Sequence, residues 1–386
     1  MAGKQDPLPE TPATPEEKRL ETVQIRKDKA WEHPQLNSGD WLSKIVEVLL
    51  SENLVVLSGL GTSLCIKNGD KTLAPTMGDL WDKAKKIDKF ADVLKKVGYP
   101  ESESNIEELM SRCQMYGVLH ADDEVSKFVK EAERAIQESC LFAVHGQSLP
   151  VHEMFLRKVA RRSSRQPRLR LFTTNYDLCY EVAAANAGFV VVDGFSHSSP
   201  QIFDGSYFSY DLVRRDTESE NLSFIPNVFQ LLKLHGSVDW ERAVQGQVIR
   251  KDTEQPIMVF PRIGKYESSF QQPFFEVMSR FQSALRQPNT GLLVLGYGFR
   301  DKHLNEPILA AWRSNVGLKC AVVNPALAGD EENEVHKALI GLIDGGDVRL
   351  NAIAAKFEDF VEHMPDLVAL SEEELHQART RQLFNL

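Results

Sequence analysis

Short runs of apolar residues alternate along the chain with longer segments in which apolar positions follow a helical spacing. The run from Leu54 to Leu57 is apolar throughout, as expected of a strand buried on both faces of a sheet. Comparable runs predict further strands. One ends at Phe172, and the others span residues 189–193, 228–234, 257–260, 292–295, 320–324 and 348–353.

In the segments between these runs, apolar residues recur three or four positions apart. Trp41, Ile45 and Val48 form one such face, which predicts an amphipathic helix. Helices of this kind are predicted at residues 40–52, 177–187, 270–286, 304–312, 332–342 and 357–364. Strands that alternate with helices indicate an α/β fold, with a mainly parallel sheet covered by helices on both faces.

Two stretches depart from this alternation. Residues 74–165 contain no predicted strand, and helices are expected at 77–85, 89–97, 105–115, 123–145 and 152–162. We interpret 74–165 as a helical insertion in one domain that spans 38–386. Residues 1–37 form a polar N-terminal extension, expected to be partly disordered, with a short helix that starts at Thr14-Pro15-Glu16-Glu17 and ends near Ala30.

Composition narrows the class of protein. The 386 residues are 42% hydrophobic and 26% charged, with a formal charge of −10, which favours a soluble globular protein and argues against general nucleic-acid affinity. No apolar run approaches the roughly 20 residues of a membrane span, and the charged N-terminus lacks a signal-peptide core. We therefore expect a cytoplasmic protein that binds neither nucleic acid nor membrane.

Cysteines and arginines give two local signals. The five cysteines include no Cys-x-x-Cys pair, which excludes a sequence-local zinc ribbon and provides no disulfide framework. Positive charge concentrates between Arg157 and Arg170. This basic run is interpreted either as a solvated helix face or as a contact for an acidic partner or a neighbouring subunit.

Small and polar residues follow five of the predicted strands. They are Gly59-Leu60-Gly61-Thr62-Ser63, Thr174-Asn175-Tyr176-Asp177, His235-Gly236-Ser237, Gly296-Tyr297-Gly298 and Asn324. The carboxyl ends of parallel strands meet at one edge of a sheet, where open α/β folds bind ligands. Two glycine turns fit a ligand with phosphates and two sugars, such as a dinucleotide. The alternative for Thr174, Asn175 and Asp177 is that they cap the following helix.

The order of these motifs resembles the sirtuin-like NAD-binding family. It reads Gly-x-Gly-Thr-Ser, Thr-Thr-Asn-Tyr-Asp, Leu-His-Gly-Ser, Gly-Tyr-Gly-Phe-x-Asp-x-His and Val-Asn-Pro, and the resemblance extends over about residues 40–365. Within the family, the chain is similar to a bacterial branch whose members act as antiphage NAD hydrolases. The resemblance implies a Rossmann-like fold and NAD as substrate.

The chain departs from protein-deacylating sirtuins in three ways. It lacks their zinc module with two Cys-x-x-Cys pairs. Residues 65–69 stand where those enzymes have a Gly-Ile-Pro-Asp-Phe-Arg type stretch, and the insertion at 74–165 replaces their small domain. A channel for an acylated lysine is therefore not expected, and neither is a metal.

The resemblance also implies roles for individual residues. Asn175 would hold the attacking water or the nicotinamide-ribose, His235 would be the general base, and Asp177 would orient this network or stabilise developing positive charge, unless it caps the helix. Gly236 and Ser237 would help to bind NAD beside His235. Gly59, Gly61, Thr62 and Ser63 would cradle the pyrophosphate, and Gly296, Gly298, Asp301 and Asn324 would lie near the adenosine half.

These expectations predict an NAD hydrolase that releases nicotinamide and ADP-ribose and depletes NAD in antiphage defence when activated. Two alternatives stay open: a non-catalytic subunit that senses NAD or ADP-ribose, and an NAD-dependent protein deacylase. The family resemblance further implies a homo-oligomer and a separate activating partner, such as a HerA-like ATPase. Whether the product is linear or cyclic ADP-ribose is open as well.

Overall fold

The computed structural model describes residues 19–35, 39–163, 166–215, 222–259, 272–330 and 332–367. Its strands are Gln24–Lys27 (β1), Ala30–Glu32 (β2), Asn53–Ser58 (β3), Lys67–Asn68 (β4), Lys71–Thr72 (β5), Arg170–Thr173 (β6), Val190–Val192 (β7), Gln201–Ile202 (β8), Val213–Arg215 (β9), Leu222–Phe224 (β10), Val228–Lys233 (β11), Trp240–Arg242 (β12), Val248–Arg250 (β13), Thr290–Leu295 (β14), Lys319–Val323 (β15) and Leu350–Ala354 (β16).

The α-helices are Gly39–Leu49 (α1), Met77–Ala84 (α2), Phe90–Lys96 (α3), Ile106–Leu119 (α4), Asp123–Cys140 (α5), Pro150–Val159 (α6), Cys179–Ala187 (α7), Phe274–Arg286 (α8), Lys302–Ser314 (α9), Glu334–Asp344 (α10) and Phe357–His363 (α11). No helix among the described residues is long and apolar enough to cross a membrane.

A nine-stranded sheet forms the centre of the molecule, in the order β2-β1-β16-β15-β14-β3-β6-β11-β7. The strands from β16 to β7 pair in parallel, which confirms the predicted α/β fold. The strand considered at 257–260 is instead an isolated bridge between Met258 and Gly236, and position 260 lies outside the described residues.

Alternate residues of the central strands enter two different cores, as the pleat of a strand requires. Leu54 and Val56 of β3 pack in a cluster with α1, α6, α7 and α11. Val55 and Leu57 pack on the other face with α8, α9 and α10. The continuous apolar runs are therefore explained by burial on both faces.

Helices α2 to α6 lie between residues 77 and 159, within the segment that we interpret as a helical insertion. Helices α2 to α5 have a core of their own around Trp81 and Phe128, and this core also takes in Val238 and Met258, with Tyr176 packed against it. Because Tyr176 and Val238 follow the ends of β6 and β11, the insertion borders the edge of the sheet where the candidate site lies.

The prediction of an N-terminal helix that ends near Ala30 is wrong for the described part of the extension. Residues from 24 to 32 form the hairpin β1–β2, with Asp28 and Lys29 in the left-handed region at its turn (φ 49° and 64°). β1 pairs antiparallel with the edge strand β16, and Arg26 forms a two-bond ion pair with Asp344 of α10 (3.0 and 2.7 Å). Sheet pairing thus overrides the local charge pattern. The helix start at 14–17 and most of the predicted disorder lie outside the described residues.

Several side chains of the basic run are used inside the fold. Lys158 donates to the carbonyl oxygens of Val361 and Met364 at the end of α11 (2.8 and 2.7 Å). Arg162 donates to Leu49 and Glu52, at and beyond the end of α1 (3.0 and 2.9 Å). These two cations satisfy carbonyl groups that a helix leaves unpaired at its end. The main role of Lys158 and Arg162 is therefore structural, rather than a solvated face or a contact for a partner.

Candidate active site at the edge of the sheet

The polar motifs meet because the strands that precede them are neighbours. β15, β14, β3, β6 and β11 are consecutive in the sheet and parallel. Thr173 pairs with Lys233 in the register of β6 and β11, and Asn175 and His235 each follow two residues later. The prediction that these strand ends share one edge is therefore confirmed.

Asn175 holds the first glycine turn in place. Its Nδ2 donates to the carbonyl oxygen of Gly59 (3.1 Å) and to Oγ of Ser63 (2.9 Å), and the side chain is only 8% exposed. Both amide hydrogens are thus used by the turn. The amide oxygen is the atom with which Asn175 could bind water or a sugar hydroxyl.

Asp177 bonds both the start of the following helix and the first glycine turn, and its catalytic role stays a prediction. Its Oδ1 accepts the N–H of Cys179 (3.1 Å), the first residue of α7, and so satisfies one of the N–H groups that the start of a helix leaves unpaired. Its Oδ2 accepts the hydroxyl of Ser63 (2.8 Å). The carboxylate therefore stabilises the start of α7 and links it to the first glycine turn. Thr174 instead contacts the carbonyl oxygen of Ser58, at 3.5 Å.

His235 lies at the end of β11 with 4% of its surface exposed. Its carbonyl oxygen accepts the N–H of Val259 (2.8 Å). The next residue, Gly236, has φ +84°, and a Cβ there would lie 2.1 Å from the carbonyl oxygen of Ile257. Only glycine fits this turn, so residues 257–259 fix the backbone that presents the histidine.

Two residues of the second glycine motif lie beside His235. The potential metal-ligating atoms of His235, Asp301 and His303 are all within 4.8 Å of one another, and the two imidazole rings are 5.6 Å apart between centroids. Asp301 was expected near the adenosine half of NAD; that assignment stays a prediction, and the structure places the residue next to the proposed base. His303 was not predicted as a site residue, although it is the last residue of the Gly-Tyr-Gly-Phe-x-Asp-x-His motif.

The two glycine turns pack against each other. Gly61 donates to the carbonyl oxygen of Gly296 (2.9 Å), and a Cβ on Gly61 would lie 2.6 Å from Cα of Gly296. A Cβ on Gly59 would lie 2.7 Å from Cα of Tyr297, whereas one on Gly298 would meet nothing within 4 Å. Close backbone packing explains why glycine is needed at positions 59, 61 and 296. It does not explain Gly298, where there is room for a side chain.

The hydroxyls of the first turn are also committed to the fold. Thr62 donates to the carbonyl oxygen of Gly59 (2.9 Å) and bonds Ser58 (2.9 Å), and Ser63 is held between Asn175 and Asp177. The N–H groups of Gly59, Gly61, Thr62 and Ser63 donate to backbone oxygens as well. Contact of these four residues with a pyrophosphate stays a prediction and requires some of these bonds to be exchanged.

Asn324 and Ser237 lie where expected, at strand ends. Asn324 donates to the carbonyl oxygen of Tyr297 (3.0 Å) and accepts the N–H of Ala326 (2.9 Å), so it joins the second glycine turn to the end of β15. Ser237 lies against the Asn-Tyr-Asp turn, with its Oγ 3.5 Å from the carbonyl oxygen of Tyr176. Direct contact of either residue with a ligand stays a prediction.

Lys233 borders the candidate site and was not among the residues predicted from the sequence. It is 2% exposed, and its Nζ donates to the carbonyl oxygen of Asp177 (2.6 Å) and to Glu181 (2.9 Å). Burial raises the pKa of Glu181 although Lys233 lowers it. A lysine in an apolar strand directly before Leu234-His235 was the available signal, because buried lysines need a charged or polar partner.

The cysteine thiols are unsuited to nucleophilic chemistry. Burial raises the pKa of Cys65, Cys113, Cys140 and Cys320 to about 12, and it raises that of Cys179 well above its ordinary value. Since the thiolate is the reactive form, these raised pKa values disfavour a cysteine nucleophile.

Part of the chain is similar to one protein family. Residues 169–336 match the SIR2-like domain. The matched region contains the Asn-Tyr-Asp, His-Gly-Ser and second glycine motifs and excludes the first glycine turn. No curated protein sequence matches the chain.

Solved structures similar to the chain include Sir2 homologues. A Sir2 homologue in complex with NAD is 17% identical, with a TM-score of 0.40 over 89% of this chain and 94% of that one. A structure that describes the basis of sirtuin substrate affinity is 14% identical, with a TM-score of 0.37 over 75% and 88%. A mutant Sir2 homologue in complex with ADP-ribose is 15% identical, with a TM-score of 0.37 over 85% and 96%.

Proposed function

We propose that the chain hydrolyses NAD at the bond between nicotinamide and ribose. The observation that carries this proposal is the position of Asn175, Asp177 and His235, which follow two paired parallel strands and lie inside the region that matches the SIR2-like domain. Helix capping would account for Asp177 but not for His235 at the neighbouring strand end.

In the proposed reaction, the oxygen of a water molecule bonds to the anomeric carbon of the nicotinamide-ribose as the carbon–nitrogen bond breaks. The bonding electrons return to the nicotinamide ring, which leaves as a neutral molecule, and the product is ADP-ribose. Cleavage of such a bond passes through a state with oxocarbenium character. The negative charge of Asp177 favours that state, and His235 takes the proton that the water loses.

The amide oxygen of Asn175 would hold the water or a ribose hydroxyl, since both Nδ2 hydrogens are bonded to Gly59 and Ser63. Gly298 is the glycine of the second turn beside which a ligand could approach the backbone closely, because its Cβ position is open. Lys233 would act indirectly, by holding the carbonyl oxygens of the turn that carries Asn175 and Asp177.

Nicotinamide release from NAD by the purified chain tests the proposal. We expect release without any acylated peptide, with one ADP-ribose formed for each nicotinamide. Strict dependence on an acylated peptide would assign the chain as a deacylase. Binding of NAD without release, also in the presence of a partner, would assign it as a sensor of NAD or ADP-ribose.

The proposed physiological role is depletion of NAD in antiphage defence, in a homo-oligomer activated by a separate partner such as a HerA-like ATPase. The family resemblance supports this role. Light scattering of the purified chain measures the oligomer, and cellular NAD measured during phage infection tests the role directly. NAD that stays constant in infected cells expressing the chain would contradict it.

A further inference from the structure

Three potential metal ligands from separate segments come together beside the proposed base. His235 follows β11, whereas Asp301 and His303 lie at the start of α9, and their ligand atoms are within 4.8 Å of one another. The set is therefore assembled by the fold. Asp301 precedes α9 with an extended backbone (φ −89°, ψ 97°), so helical periodicity does not keep its side chain away from that of His303.

The chemistry of this set selects a class of ion. Two imidazoles and one carboxylate suit divalent transition metals such as zinc and cobalt, whereas magnesium and calcium prefer oxygen ligands. With zinc–nitrogen bonds of about 2.0–2.1 Å, tetrahedral ligands lie about 3.4 Å apart. Side-chain rotations that move these atoms by about 1 Å would therefore close the cluster around an ion, with the fourth position left for water.

The backbone that carries the three ligands is well supported. The N–H of Asn305 donates to the carbonyl oxygen of Asp301 (3.0 Å). The side chain of Asn305 bonds Tyr297 (3.1 Å) and the carbonyl oxygen of Phe299 (2.8 Å). Ligands on rigid elements lose little freedom when an ion binds.

Burial is graded across the cluster. His235 is buried, whereas Asp301 and His303 are half-buried, so an ion can reach the cluster from solvent and still lie in a partly shielded place. The Asp301 carboxylate offsets part of the positive charge of the ion. This grading fits an exchangeable ion better than one enclosed during folding.

We propose that His235, Asp301 and His303 bind a divalent transition-metal ion that inhibits NAD hydrolysis. The inhibition rests on the proposed function: the ring nitrogen that coordinates the ion is the atom that would accept the proton from water, so a metal-bound His235 cannot act as the base. Binding of the ion does not depend on that function.

The binding test uses the full chain without a polyhistidine tag, titrated with Co²⁺ by visible absorption and with Zn²⁺ by calorimetry. We expect one ion per chain and cobalt bands typical of imidazole and carboxylate ligands. His303→Ala should weaken binding by at least the roughly 10–100-fold known for loss of an outer-shell partner. The exposed His197→Ala is the control and should bind normally. Equal affinity in the His303→Ala variant, with its fold intact by circular dichroism, would overturn the site.

The inhibition test measures nicotinamide release with added Zn²⁺ and again after chelation, each variant against its own metal-free rate. We expect zinc to stop release, chelation to restore it, and His303→Ala to need about 100-fold more zinc. Metal that binds without lowering the rate would overturn the inhibition. Cobalt bands in a chain that never releases nicotinamide would leave the site standing and reject the proposed function instead.

Discussion

At the scale of single residues, Asp177 serves two neighbours with its two oxygens. One accepts the N–H of Cys179 at the start of α7, and the other accepts the hydroxyl of Ser63. An asparagine keeps one carbonyl oxygen for the cap but replaces the second acceptor with a donor and removes the charge. We expect Asp177→Asn to fold, with turnover of NAD lowered about 10-fold or more.

Thermal unfolding and the rate of nicotinamide release separate these two effects of Asp177→Asn. Asparagine caps a helix about as well as aspartate, so the variant should melt within a few degrees of the wild type. A variant that does not fold would show that the carboxylate is needed mainly for the fold. A folded variant with full activity would remove Asp177 from the mechanism.

We expect alanine substitutions in the two glycine turns to have different effects, on stability at Gly61 and on NAD binding at Gly298. In Gly61→Ala the new Cβ would lie 2.6 Å from the backbone of Gly296, and such overpacking costs typically 1–3 kcal/mol. In Gly298→Ala the Cβ meets open space, so stability should hold while the KM for NAD rises. Urea unfolding and steady-state kinetics measure the two quantities. The reverse pattern would contradict the packing described for these turns.

The sequence places Asn175, Asp177 and His235 at strand ends because each follows an apolar run that predicts a buried strand. It could not assign the bonds that the same residues make. Asp177 bonds the start of α7 and also Ser63. The second bond forms because the first glycine turn, which is distant in sequence, packs against the turn that carries Asp177. His303 and Lys233 were missed for the same reason, since their partners are remote in sequence.

At the scale of elements, Lys233 joins β11 to the loop that precedes α7. Its Nζ is bonded to Glu181 and to the carbonyl oxygens of Tyr176 and Asp177. Lys233→Met keeps the length of the side chain but leaves these acceptors without their donor, which costs about 1–3 kcal/mol. We expect a lower urea midpoint together with a lower kcat, because the turn that carries Asn175 loses its support.

Lys251→Met is the matched control for Lys233→Met. Lys251 pairs with Glu241 (2.8 Å) in a place where the lysine is 49% exposed, and such pairs contribute about 0–1 kcal/mol. An effect of Lys233→Met no larger than that of the control would contradict a supporting role for the buried lysine.

Helix α6 carries a buried histidine that should make stability depend on pH. His152 is fully buried between the rings of Tyr180 and Phe357 (centroids 5.3 and 5.2 Å away), and its ring nitrogens have no hydrogen-bond partner among the described residues. Burial lowers its pKa from 6.5 to about 4, although Asp177 raises it. The folded protein thus holds His152 neutral where the unfolded chain protonates it.

It follows that the contribution of neutral His152 to the free energy of unfolding is fully present above pH 6.5 and is lost as the pH falls from 6.5 towards 4. The difference in pKa between the folded and unfolded states corresponds to roughly 3 kcal/mol of stability. We expect His152→Phe to unfold with a shallower pH dependence in this window, and urea unfolding at several pH values measures the difference between variant and wild type. Parallel stability curves would show that His152 is not held neutral.

Periodicity predicted most elements correctly because their faces are buried by neighbours in the usual way. The strand run at residues 54–57 is apolar since both faces of the sheet are covered, and the helices of the insertion show their packing stripe in the sequence. The hairpin β1–β2 is one of the exceptions. Its charged sequence suits a helix locally, but its backbone pairs with β16, a strand more than 300 residues away.

At the scale of the whole molecule, the order of strands in the sheet brings motifs that are distant in sequence to one edge. No pattern within a single motif predicts that β14 lies between β15 and β3, yet this order sets the second glycine turn against the first and brings Asp301 to His235. The insertion, whose own core includes Val238 and Met258, borders the same edge. The oligomer and the activating partner depend on surfaces that no apolar pattern singles out, and they stay predictions.

The most direct test of the central claim compares nicotinamide release from NAD by the wild type, Asn175→Ala and His235→Ala, with His197→Ala as the control. Loss of an acid–base group costs roughly 10²–10⁴-fold in rate. We expect both site variants to fold, as judged by circular dichroism, and to lose at least about 10²-fold in rate, while the control keeps the wild-type rate. Folded Asn175→Ala and His235→Ala proteins that release nicotinamide at the wild-type rate would contradict the account.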